Sequence, residues 1–88
     1  MTRREEAIEL GVQARALLDN PALVHALETL RKRYQRSWEH SAPHDIDDRE
    51  RAYYALRILT EVTDELTILL DNGDIAARQA EREVMKNG

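Results

Sequence analysis

The polar segment Ser41-Ala-Pro-His-Asp-Ile-Asp-Asp48 constrains this chain more than anything else in it. It separates two long stretches whose apolar residues return at helical spacing, and Pro43 keeps one helix from running through both. Upstream, Leu23, Leu27, Leu30, Tyr34 and Trp38 recur at intervals of four, three, four and four. Downstream, Ala55, Leu59, Val62, Leu66 and Leu69 recur at four, three, four and three, widened by Ala52, Leu56 and Leu70. Two apolar faces joined by a short turn predict an antiparallel helical hairpin.

Local signals place the remaining boundaries. Thr2 is an N-cap for a first helix over about residues 3–18, Glu5 and Glu6 suit the positive end of its dipole, and Ala7, Leu10, Ala14 and Leu17 form its stripe. Asn20 followed by Pro21 is a cap with a first-turn proline, so the chain either restarts as a second helix over 21–40 or kinks sharply. Asp47 with Glu50 reads as a capping box that opens a third helix near residue 48 after a turn over 41–47, with Asp45 as a second candidate cap. Asn72-Gly73 is a stop signal that ends this helix near Asp71, and Asp74 then caps a weak helix over 75–86. That last segment carries only Ile75, Ala76, Ala80, Val84 and Met85 as an apolar edge.

The expected fold is therefore all-α, a single domain over 1–88. It is an antiparallel helical hairpin with an additional N-terminal helix and a short C-terminal helix as arms. A first helix folded back into a three-helix bundle is the alternative. A chain of 88 residues lies near the lower limit for a stable independent core, so association would help it. Its hydrophobic fraction of 42% is Ala- and Leu-rich, with no Phe and one Trp, and 34% of residues are charged, which suits an exposed helical protein and not a disordered one. Without cysteine there is neither a disulfide nor a thiolate metal site. The charged start Met1–Glu6 and the lack of a continuous apolar run predict a soluble, intracellular protein with no membrane partner.

Charge is unevenly spread under a net of -4. Residues 1–40 hold seven Lys/Arg against six Asp/Glu, and 41–88 hold six against eleven. The basic cluster Arg31, Lys32, Arg33 and Arg36 either meets the acidic half, within a hairpin or between copies, or meets a polyanion such as nucleic acid, with Tyr34 and Trp38 as stacking rings. On a helix those rings share the Leu27 and Leu30 face, which favours core over platform.

Catalytic machinery is not expected. Ser37 and Ser41 lie near histidines but lack an orienting group and an oxyanion site. His40, His44, Asp45, Asp47 and Asp48 are metal-capable, yet Pro43 keeps the two histidines off a common helical turn and the acids are explained as caps, so no metal or cofactor is expected. Tyr53 and Tyr54 are expected to pack against Trp38 across the turn. The predicted core and interface set is Leu23, Leu27, Leu30, Tyr34, Trp38, Leu59, Val62, Leu66 and Leu69.

Taken in order, Leu17-Leu18, Pro21, Leu27, Trp38, Asp47, Arg49-Glu50, Tyr54, Leu56, Leu59, Val62, Leu66 and Gly73 give a pattern over about residues 14–77 that resembles small helical proteins of tailed bacteriophages and prophages. Proteins of that group tend to be encoded among virion-structure and DNA-packaging genes. The resemblance implies a non-enzymatic structural or assembly role, in the bacterial cytoplasm or the virion, with protein partners that include further copies of the chain or a larger phage assembly. The alternative is a nucleic-acid-binding accessory, such as a DNA-packaging recognition subunit or a small regulator, acting through Arg31, Lys32, Arg33 and Arg36. A third reading is an inhibitor that mimics nucleic acid with Glu61, Asp64, Glu65 and Asp71.

Overall fold

The computed structural model describes residues 1–87, and among them the only regular elements are three helices: α1 (Arg3–Leu18), α2 (Pro21–His40) and α3 (Ile46–Asn87). Their ends follow from local chemistry. Thr2 Oγ1 accepts from the Glu5 amide at 3.1 Å, and Asn20 Oδ1 accepts from the Ala22 and Leu23 amides at 2.9 and 3.1 Å, so both helices satisfy orphan first-turn donors with a side chain. With Pro21 at the first position, α2 is a new helix and not a kinked extension of α1. It stops at His40, where the Ser41 amide and hydroxyl both turn back to the Trp38 carbonyl. The Asp45 carbonyl then accepts from the Arg49 amide at 3.1 Å, which puts Asp45 at the N-cap and starts α3 at Ile46. The capping box read at Asp47 therefore lies inside the first turn, where Asp47 and Asp48 still face the positive end of the dipole.

The chain divides into two compact units, one built from Met1–Asp19 and the chain from Asp64 on, the other from Asn20–Thr63. The first pairs α1 antiparallel with the C-terminal half of α3, as the contacts Arg4 to Glu83 and Gly11 to Gly73 require. The N-terminal helix is thus no free arm.

In this unit the Asn72-Gly73 stop does not operate, because α3 runs unbroken from Ile46 to Asn87 and takes in the segment expected to be a separate short helix. Gly73 does not have the positive φ of a left-handed helix cap. It is buried where α1 crosses: a Cβ on Gly73 would stand 2.8 Å from the Gly11 Cα and 2.9 Å from the Ala7 carbonyl oxygen. A mid-helix glycine costs about 1 kcal/mol relative to alanine, and here the close packing of two backbones offsets it.

The same contact shifts the buried face of α1. Gly11 and Ala14 are buried and Ala7 and Leu18 half-buried, a four-three-four line that opposes Leu66, Leu69, Gly73, Ala76 and Ala80 of α3. Leu10 and Leu17, read from the sequence as part of the α1 stripe, are each 45% exposed. Small side chains occupy the centre because the helices are too near for leucine, which is left at the flank.

At the end of this unit Arg4 donates from both terminal nitrogens to Glu83, at 2.6 and 3.0 Å. The hydrogen bonds from Arg4, with its charge, hold the Glu83 carboxyl below its ordinary range. With the folded value below the unfolded one, the stabilisation is in place above the unfolded pKa and lost as pH falls through the folded one. NMR titration is expected to show Glu83 titrating below an ordinary glutamate, and Arg4→Gln to return it to that range. An unchanged titration in the variant would mean that the pair does not form in solution.

The second unit sets α2 antiparallel to the N-terminal half of α3, with Arg31 against Thr60 and Trp38 against Arg49. Leu23, Leu27, Leu30 and Tyr34 are half-buried here, facing buried Ala52 and half-buried Ala55, Leu56, Leu59 and Thr63. Val62 is not in this face but 47% exposed. Thr63 takes the inward position, with its hydroxyl satisfied by the Leu59 carbonyl at 3.1 Å, so a residue of lower hydropathy displaces the valine.

Candidate interaction surfaces

Three surfaces carry the side chains with chemistry to offer. The first is a hollow of about 390 Å³ beside the turn of the second unit, lined by Trp38, Pro43, Ile46, Arg49, Glu50, Tyr53 and Tyr54. Trp38 is 39% exposed and lies under the Arg49 guanidinium, 4.5 Å from the ring centroid, a cation–π contact in place of core packing. Tyr53 and Tyr54 meet each other edge to face at 5.6 Å. They share the hollow with Trp38 but are themselves exposed, because they lie about 100° and 200° around the helix from buried Ala52, which holds the inward position of this turn. The Tyr53 hydroxyl accepts from Arg57 at 3.5 Å.

The basic cluster on α2 divides. Arg31 is half-buried and donates to the Thr60 hydroxyl at 3.2 Å, so it is held against α3 where its neighbours are not. Lys32, Arg33 and Arg36 are exposed and make no ion pair among the described residues. Among the described residues the acids that do pair are Glu83 with Arg4, Asp74 with Arg15 and Glu61 with Arg57, none of them with this cluster.

The third surface is the outer side of α3, where Ile68 and Ile75 are exposed beside Asp64, Glu65 and Asp71, none of these acids in an ion pair among the described residues. Of the predicted core set, Leu23, Leu27, Leu30, Tyr34, Leu59, Leu66 and Leu69 are half-buried, and Trp38 and Val62 are exposed. Sequence reasoning misses Gly11 and Gly73 as packing residues. The signal that could have found them is the four-three-four run Ala7, Gly11, Ala14, Leu18.

Near the turn, Asp45 and Asp48 stand close, and the Asp48 charge pushes the Asp45 carboxyl above its ordinary range. Among the described residues no group of three His, Cys, Asp or Glu side chains is placed to hold a metal ion. No helix of the described residues is long and apolar enough to cross a membrane. Comparison with protein families, curated proteins and solved structures yields no match for this chain.

Proposed function

We propose that this chain is a non-enzymatic assembly protein that acts by associating with further copies of itself or by docking on a larger protein assembly. One observation carries the reading, the imbalance between what the folded chain buries and what it leaves in water. Among the described residues the buried apolar side chains are Ala14, Ala52 and Ala76, whereas fifteen large apolar or aromatic side chains are exposed. The resemblance to helical proteins of tailed phages suggests the setting, in virion assembly or as a minor virion component.

Light scattering behind a sizing column, at low and moderate salt, tests this. A defined oligomer above the mass of one chain is the expected result. A stable monomer at every concentration would remove self-association and leave only docking on a different protein.

A second reading, a nucleic-acid-binding accessory, is favoured by the three unpaired cations Lys32, Arg33 and Arg36. It requires retention on DNA that weakens steeply with salt. Failure to bind DNA at low ionic strength would sink it.

A further inference from the structure

Two exposed lines, one on α2 and one on α3, match in spacing and are complementary in size and charge. On α2, Ala22, Ala26, Thr29 and Arg33 are all exposed and recur at four, three and four. On α3, Glu65, Ile68, Asn72 and Ile75 are all exposed and recur at three, four and three, about 100° around the helix from the buried line that meets α1. Alternation of three and four is the spacing that keeps two helices in contact over successive turns.

Run antiparallel, the lines set Ala22 against Ile75, Ala26 against Asn72, Thr29 against Ile68 and Arg33 against Glu65. Both isoleucines then meet a small residue, which leaves room for knobs to enter holes, and the terminal pair carries opposite charges. On the flank next to Arg33 and Glu65 the signs agree, with Lys32 beside the first line and Asp64 beside the second, whereas further along the same flank Glu28 and Asp71 are like charges. None of these charged residues has an ion-pair partner within the described chain.

We infer that copies of this chain join through these two lines, α2 of one copy lying antiparallel on α3 of the next. This rests on the self-association proposed above and names its surface. The occupant is a second copy because both halves of the match, in spacing, side-chain size and the charges of Arg33 and Glu65, are on this chain. The contact joins unlike faces, so two copies can make it reciprocally or many can repeat it in series.

Arg33→Glu and Glu65→Arg test it, since both positions are exposed and unpaired and neither change should alter the helical signal in circular dichroism. Each variant alone puts like charges together and is expected to weaken self-association about tenfold or more, measured by sedimentation across a concentration series at low salt. Mixing the two variants sets the introduced carboxylate of one against the introduced guanidinium of the other, and leaves the native pair of Arg33 with Glu65 in the reciprocal direction. The mixture is therefore expected to recover parental association.

Oligomers of unchanged strength in both single variants would overturn this contact while leaving self-association standing. A parent that is monomeric throughout would overturn both. Weakening without recovery on mixing would rule out the pairing. DNA retention that is lost in Arg33→Glu while mass is unchanged would assign the basic face to a polyanion instead.

Discussion

Gly73→Leu is expected to lower the melting temperature by about 10 to 25 °C, the equivalent of roughly 2–4 kcal/mol for a chain of this size. The first atom of any side chain at this site falls 2.8 Å from a backbone Cα and 2.9 Å from a backbone oxygen of α1, neither of which can rotate away as a side chain can. Leucine must therefore push the helices apart along the whole line from Ala7 to Leu18. Gly73→Ala separates the two forces at this site. Helix propensity alone predicts a gain of about 1 kcal/mol, whereas the crossing predicts a net loss. Arg51→Ala, exposed on the same helix and outside both the crossing and the proposed contact between copies, is the control that gains propensity without a clash. Thermal melts of the four proteins decide between the forces: a Gly73→Leu chain that melts with the parent would mean that α1 does not cross there.

Ala14→Asp is expected to remove about 3–5 kcal/mol, enough to undo the unit formed by α1 and the end of α3 in a domain whose whole stability is of order 5–15 kcal/mol. Ala14 is 1% exposed and sits in the centre of the buried line. A carboxylate there has no cation in reach within that line and no path to water that keeps the helices in contact. Leu59→Asp and Leu66→Asp are expected to cost less, because both sites are half-buried and their carboxylates can bend toward solvent. The ordering is read from helical signal and melting temperature. Ala14→Asp melting above Leu66→Asp would place the tightest packing of this unit at the leucines and not at the small residues.

Part of this architecture was legible before any coordinates. The all-helical class, the caps at Thr2 and Asn20, and the turn around Pro43 rest on interactions among residues at most four apart in sequence, so the residue types suffice to predict them. Periodicity located the apolar faces of α2 and α3 within about one position. It ranked residues by hydropathy, however, and so preferred Val62 to Thr63 and Leu10 to Gly11, and the phase set by Leu10 then selected Leu17 in place of Leu18. Burial follows distance between helices as well as hydropathy. Thr63 can enter the face because the Leu59 carbonyl satisfies its hydroxyl, and Gly11 enters because nothing larger fits.

The candidate surfaces were less legible. Composition separated the basic cluster from the acidic half, but Arg31 is distinguished from its neighbours only by its place beside Thr60 on the opposing helix. Likewise, the aromatic grouping near the turn was visible as residue types. The seating of Arg49 over Trp38 needs the two helices side by side.

The sequence by itself determined where helices begin and that they would be amphipathic, because caps, prolines and periodic apolar residues act through the backbone within a turn or two. Only the tertiary structure decided that α3 continues through Asn72-Gly73. An isolated Asn-Gly favours a stop by local preference, but at this position the absent side chain admits α1 to backbone contact, and that packing outweighs the preference.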